Sequence, residues 1–230
     1  MTPFYENQNR YYVSVDCLIL GFKNNQLYLL INKRKFEPLQ GQNSLMGGFI
    51  KPEESLLETV ARVVEEYTGI SSVYMEQVGA YGDIERDLGE RVITIAYYAL
   101  VDMELFDEEL CRVHNAHWTE VENVGALVFD HNLILEDTLK LIRKRASIQP
   151  IGFNLLPEKF TLPQLQSLYE AIYQTTLDKR NFRKRILEMN FLEKLDEKDK
   201  FNSKRGAFYY RFDKDKYDEM MEKGFSLSIQ

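Results

Sequence analysis

The stretch from Gly48 to Ile70, GFIKPEESLLETVARVVEEYTGI, constrains this 230-residue chain more than any other. Its middle has helical periodicity, with Leu56, Leu57, Val60, Val63 and Val64 expected inward. Gly48 and Gly69 stand at either end, where glycine permits tight turns. Arg62 has Glu54, Glu66 and nearby loop carbonyls within reach as partners. On a helix, positions i, i+3 and i+4 share a face. Here that face reads Val63, Glu66, Tyr67, a single carboxylate among three places. Glu65 sits about 100° round from Glu66 and does not replace the missing ones.

The run resembles the Nudix box, G-x5-E-x7-R-E-U-x-E-E-x-G-U, where U is a bulky aliphatic residue. Gly48, Glu54, Arg62, Val64, Glu66, Gly69 and Ile70 fall on the pattern. Val63 and Tyr67 depart from it, at two places where Nudix hydrolases carry metal-binding glutamates. Such hydrolases need Mg²⁺ or Mn²⁺, and hard cations want several oxygen ligands. The resemblance thus implies a Nudix frame without its chemistry. No enzyme activity, catalytic residue, metal or cofactor is expected.

The length allows two small domains. The opening MTPFYENQNR is polar and carries no secretory signal, and no apolar run approaches a membrane span, so a cytoplasmic protein is expected. Cys17 and Cys111 are too few for a disulfide framework and are expected reduced. His114 and His117, beside Trp118, lack further ligands and read as structural. The net charge of -7 is uneven: residues 148–230 hold 15 basic and 13 acidic side chains, and Asp178–Arg211 hold 11 and 6. Local charge, not net charge, governs phosphate contact.

Tyr12–Phe22 and Leu27–Ile31 read as strands around the turn Asn24-Asn25. Val73–Gly82, Arg91–Val101 and Ala116–Glu120 read as further strands, and Leu135–Arg145 as a helix with Leu139, Leu141 and Ile142 inward. The polar segment DIERDLGE is expected to overhang the pocket formed by the box. Residues 1–146 are expected to form an α/β/α sandwich, with 147–157, which contains Pro150, Gly152 and Pro157, as a linker or hinge.

Residues 158–230 change to helical periodicity. Thr161 reads as an N-cap with Pro163 in the first turn, over a stripe of Leu162, Leu165, Leu168, Tyr169 and Ile172. Asp178 caps a second helix, DKRNFRKRILEMN, with Phe182, Ile186 and Met189 inward. Phe191–Leu195 and Ala207–Phe212 read as strands flanking a charged loop. Helix, turn, basic helix and hairpin make a winged helix-turn-helix, whose second helix enters the major groove.

Together the two parts resemble the Nudix-related transcriptional regulators of bacteria (NrtR/AraR-like). The likeness rests on the altered box, on Arg86–Val101, on FDH at Phe129–His131 and on LDKRNFRKRI. It implies a homodimer that binds double-stranded operator DNA under the control of a small effector, a pentose or an ADP-ribose-like molecule. SLMGGF and IGFNLLP look more like the sugar-responsive members, so a pentose such as L-arabinose, in control of sugar-use genes, is expected. Effector contacts are expected from Arg34, Gly47, Gly48, Arg62, Glu66, Asp83, Glu85, Arg86 and Glu90. Arg86 reads equally as a salt-bridged anchor of its loop. Arg180 and Arg183 are expected to read bases, with Asn181 on the same helix and Lys179, Lys184, Lys204 and Arg205 on phosphates. The rival reading is an active Nudix hydrolase of ADP-ribose or a nucleotide sugar with an accessory domain.

Overall fold

The computed structural model describes residues 7–71, 73–105, 108–200 and 206–222. Strand β1 (Tyr12–Lys23) is the axis of the first part. Its residues Val15 to Leu20 are all buried because both faces of the sheet are covered. The period-2 alternation divides them: Val15, Cys17 and Ile19 join one core, Leu18 and Leu20 the other. Hairpin β1–β2 (Gln26–Lys33) turns at Asn24 and Asn25, both at positive φ, as the sequence anticipates.

The remaining strands are β3 (Asn43–Ser44), β4 (Met46–Phe49), β5 (Tyr74–Tyr81), β6 (Val92–Leu100) and β7 (Ala116–Glu120). The sheet path is β3-β2-β1-β6-β5, with β7 added beside β2. Strand β6 runs parallel to β1 along one edge. The other edge of β1 is shared, with Ser14–Cys17 pairing β4 and Leu20–Lys23 pairing β2. The sheet therefore forks, and the fork opens the pocket described below.

Helix α1 (Leu56–Thr68) is the box helix. Ser55 and Glu58 form a reciprocal capping box, and Gly69 ends the helix in a left-handed conformation at φ 75°. Val60, Val63 and Val64 pack on β1 as expected. Leu57, expected inward, is exposed, and Thr59 is buried instead. The Thr59 hydroxyl donates to Glu54 and to the Ser55 carbonyl, which satisfies it there. Gly48 is not a turn residue; it lies within β4. Gly47 is the glycine that close packing requires, since a Cβ there would lie 2.7 Å from the Val15 carbonyl oxygen.

Helix α2 (Glu108–Val113) was not anticipated. Helix α3 (His131–Ile148) covers the opposite face of the sheet and extends the expected helix at both ends. Ile142 is buried, whereas Leu139 and Leu141 are half-buried.

The second part has strand β8 (Phe160–Thr161), helices α4 (Leu162–Tyr173) and α5 (Lys179–Glu188), strands β9 (Leu192–Asp199) and β10 (Ala207–Phe212), and helix α6 (Lys214–Glu222). The expected caps are present: Thr161 forms a capping box with Gln164, and the Asp178 carboxylate accepts from the Asn181 N–H at 2.8 Å. The whole α4 stripe is buried, as are Phe182 and Ile186 of α5. Met189 is half-buried. Strand β8 joins the hairpin in a sheet of order β8-β10-β9.

The expected linker is not a loose connection. Ser147 and Ile148 complete α3, and Pro150, Ile151, Gly152, Leu155 and Leu156 are buried. Phe153 stacks on Phe212 with ring centroids 4.4 Å apart. These apolar side chains join one continuous core that includes Leu18 and Leu29 on one side and Leu165 and Ile186 on the other. Apolar content, which Pro and Gly masked in the sequence, holds the segment down.

Candidate ligand pocket and nucleic-acid interface

A cavity of about 480 Å³ opens where β2 and β4 diverge from β1. Of the residues expected there, Arg34, Gly47, Gly48, Glu66 and Arg86 line it. Arg62 does not. Its guanidinium makes two hydrogen bonds to Glu54, at 2.7 and 2.8 Å, and another to the Phe49 carbonyl, and it lies 4.0 Å from Glu66. It staples the box loop to α1 from behind the pocket. Asp83 and Glu85 line a neighbouring cavity of about 660 Å³, with Leu39, Tyr81, Leu88 and Leu133. Glu90 is exposed and lines neither. In the loop, Arg86 and Asp87 turn toward this pocket, while Asp83 and Glu85 face the neighbouring one and Glu90 faces solvent.

Arg86 is buried and lies in both cavity walls. It donates to the Asp130 carboxylate at 2.8 and 2.9 Å and to Asp16 at 3.1 Å. Of its two readings, the salt-bridged anchor is the one the geometry favours. Asp16 is also 3.6 Å from Nε2 of His131, whose Nδ1 accepts the Leu45 N–H at 3.1 Å. That acceptor role places the imidazole proton on Nε2, facing Asp16.

Burial pushes the His131 pKa below its usual 6.5, against the opposing pull of Asp16 and Asp130. The unfolded chain therefore takes up this proton at higher pH than the folded one. Stability from this group is complete above about 6.5 and declines as the pH falls below it. Thermal unfolding followed by circular dichroism should show a lower midpoint at pH 5.5 than at 7.5. His131→Gln should reduce that dependence; an unchanged pH profile in the variant would count against a neutral buried His131.

Reasoning from the sequence missed much of the pocket wall: Asp16, Asn32, Phe36, Tyr67, His114, Phe129 and His131. Phe129 and His131 belong to the FDH run, whose role in the pocket was its available signal. His114, read as structural, lies 3.9 Å from Glu66 and its ring centroid is 4.7 Å from that of Tyr67. The Asn32 amide donates to the Tyr67 hydroxyl at 3.3 Å. Arg34 donates to the Pro38 carbonyl at 2.9 Å and packs over Phe129 and Phe36, 4.9 and 5.5 Å from their ring centres.

The donor set does not suit the divalent cation that the box implies. Arg62 holds Glu54 as an anion, with its pKa lowered to about 2. Glu66 is half-exposed between Arg62 and His114, Val63 is buried in the core, and Tyr67 offers a ring. Among the described residues, no three His, Cys, Asp or Glu side chains come together as a metal site. Beside the carboxylates of Asp16, Glu66 and Asp87, the wall offers cations, aromatic faces and backbone polar groups.

Helix α5 presents the second candidate surface. Lys179, Arg180, Asn181, Arg183 and Lys184 are all exposed, while Phe182 and Ile186 fix the opposite face. At about 100° per residue, Arg180 and Lys184 point away from that anchoring face and Arg183 lies to its side. Lys184 is 3.9 Å from Glu188, an exposed contact of little energetic weight. Arg185, not singled out from the sequence, is exposed on the same helix. The expected phosphate contacts Lys204 and Arg205 lie outside the described residues.

Two family models match the chain: the NUDIX domain over residues 10–141 and the NrtR DNA-binding winged helix domain over residues 152–212. The ADPR responsive transcriptional repressor NtrR of Acinetobacter baylyi is 30% identical over 210 residues, which is 90% of this chain and 84% of that protein. The structure of Shewanella oneidensis NrtR complexed with a 27mer DNA superposes with a TM-score of 0.83 at 26% identity, covering 94% of this chain and 97% of that one. The NUDIX domain of the same NrtR, complexed with ADP ribose, superposes with a TM-score of 0.54 at 27% identity, covering 61% of this chain and 94% of that one.

Proposed function

We propose, from the premise that this chain belongs to the Nudix family and is a Nudix-related transcriptional regulator with an NrtR-type winged helix domain, that it represses transcription by binding operator DNA and that ADP-ribose is its effector. The observation that carries this is the pairing of a large polar-aromatic pocket with an exposed basic helix in one chain whose two parts share a core. ADP-ribose needs a ring to stack on, a cation near its diphosphate and polar partners for two riboses. Phe36, Tyr67, His114 and Phe129 supply rings, Arg34 a cation, and Asn32 and the Gly47-Gly48 backbone polar groups.

The pentose expected from SLMGGF and IGFNLLP is the less supported effector. A cavity of about 480 Å³ is far larger than one pentose requires. The Acinetobacter relative is named for its response to ADP-ribose, and the Shewanella domain is complexed with it. The genes controlled by this chain are accordingly expected to be those whose products make or consume ADP-ribose-containing nucleotides, rather than genes of sugar use.

Within the reading, residues 1–146 sense the effector, 147–157 join the two parts, and 158–230 bind DNA. Arg180 and Arg183 meet base edges, and the neighbouring lysines hold phosphates. A homodimer presents two α5 helices to the halves of a palindrome. No helix among the described residues is long and apolar enough to cross a membrane, and a cytoplasmic location follows from the proposed role. ADP-ribose is bound rather than cut, since the box lacks the carboxylates for a metal.

The test is selection of fragments from the source genome by the full chain at moderate salt, with and without ADP-ribose and with and without L-arabinose. A recurring palindrome whose recovery changes only with ADP-ribose is the expected result. Response to L-arabinose alone would return the effector to the pentose. Absence of any enriched sequence, with Mn²⁺-dependent release of AMP from ADP-ribose, would replace the regulator by the hydrolase. Glu66→Gln separates the two further: it abolishes turnover in a hydrolase and leaves operator affinity within about twofold in a regulator, because Glu66 is remote in sequence from α5 and outside the DNA surface.

A further inference from the structure

We propose that Arg143 is the positioning residue through which the pocket controls the recognition helix. The inference rests on the effector-gated reading above and names the contact that carries the gating. Helix α3 has 18 residues, so it spans about 27 Å. Its first turn belongs to the pocket: Asp130, the residue before it, binds Arg86, and His131 lies in the pocket wall beside Asp16. Its far end reaches the second part. There Arg143 Nε donates to the Ile172 carbonyl at 3.1 Å, and its Nη2 donates to the Gln174 side-chain oxygen.

The place of that contact is what gives it consequence. Ile172 is in the last turn of α4, where carbonyls lack partners within the helix. Gln174 caps α4 in a left-handed conformation at φ 52°, a non-glycine residue that its surroundings must hold there. Four residues later Asp178 caps α5. The turn between the helices thus has two independent anchors. One is internal, with Glu170 accepting the Leu177 N–H at 2.9 Å and Gln166 donating to the Leu177 carbonyl at 3.0 Å. The other is Arg143, reaching in from the sensor. The internal anchor keeps α5 folded and capped. The external one sets how the turn, and therefore α5, is oriented with respect to α3.

An effector that repacks the Arg86–Asp130–His131 cluster moves the start of α3. A helix packed along its length transmits that displacement as a rigid element, because close-packed interiors shift between discrete arrangements instead of deforming smoothly. Arg143 is the polar contact at the other end that turns the displacement into a change of α5. Packing of α4 on α3 and on β2 accompanies it.

The experiment uses the full chain and a selected operator duplex. Operator affinity is measured by fluorescence anisotropy with and without saturating ADP-ribose, and ADP-ribose affinity by calorimetry with and without operator. In the parent, ADP-ribose is expected to change operator affinity on the order of tenfold, and operator to change ADP-ribose affinity by the same factor. In Arg143→Ala, each ligand alone should bind within about twofold of the parent, while both cross-effects fall below about twofold. Arg143→Lys, which keeps the charge but not the paired donors, should restore part of the response. A full response in Arg143→Ala overturns the relay and leaves the proposed function standing. A parent that shows no response to ADP-ribose overturns the proposed effector and the relay together. If Arg143→Ala fails to bind DNA at all, Arg143→Met decides, since it keeps the packed stem and removes both donors. An undiminished response in that variant overturns the relay.

Discussion

Replacement of both Arg180 and Arg183 by alanine is expected to weaken operator binding by about 100- to 1000-fold while leaving the fold and ADP-ribose affinity intact. Each bidentate arginine–guanine contact discriminates by about 1–3 kcal/mol, and each 1.4 kcal/mol is a factor of about ten. The two side chains are exposed, and the anchors of their helix are Phe182, Ile186 and the Asp178 cap, none of which the substitutions touch. Specificity should relax at the base pairs they read. Lys184→Ala should act differently, weakening binding to all sequences alike and lowering the slope of log affinity against log salt by about two per dimer, about one for each copy. Anisotropy titrations over a salt series, with operator and scrambled duplexes, separate the two behaviours. If the arginine variant kept its preference for the operator, α5 would not be the reading helix.

The second large effect is expected from Arg86→Ala. The substitution leaves Asp16 and Asp130 facing each other in a buried site with no cation between them. Removal of one partner from a buried ion cluster costs about 3–5 kcal/mol, mostly because the remaining charges stay desolvated. For a chain of this size the unfolding midpoint should drop by about 10 °C. The energy lies in the stranded carboxylates more than in any net worth of the ion pairs. A variant combining Arg86→Met, Asp16→Asn and Asp130→Asn should therefore recover much of the loss. Differential scanning calorimetry of the single and triple variants tests this. A shift below about 2 °C in Arg86→Ala would mean that water reaches the cluster and that Arg86 does not anchor the loop. The same variant should weaken ADP-ribose binding, because Arg86 is common to both cavity walls.

Legibility followed the range of the interactions. Caps and turns at Thr161, Asp178, Gly69 and Asn24-Asn25 stand where the sequence places them, since each depends on residues within four positions. The pattern of β1 likewise announced a strand, and the structure adds that it is buried on both faces. Leu57 was misplaced because periodicity sets a direction around the helix and not how far the sheet extends beneath its first turn. Ser147–Pro157 read as a linker from its Pro and Gly content, yet Ile151, Leu155 and Leu156 are drawn into the core shared by both parts. The pocket was half legible. Arg34, Gly47, Gly48 and Glu66 follow from the box and its flanks, whereas Asp83, Glu85 and Glu90 were grouped with Arg86 only because they are adjacent to it in the chain.

By itself the sequence determined what is local or periodic: the altered box with Val63 and Tyr67 in place of carboxylates, the capped basic helix with its apolar anchors, and the order of Nudix domain and winged helix. These follow from spacing, which a chain carries in any conformation. Only the tertiary structure decided which distant residues meet. It set Arg86 between Asp16 and Asp130, brought Tyr67 against His114, and placed Arg143 at the turn before α5. Such contacts join residues 29 to 70 positions apart, and their energies depend on burial and geometry that arise only when the sheet forks and the two cores close.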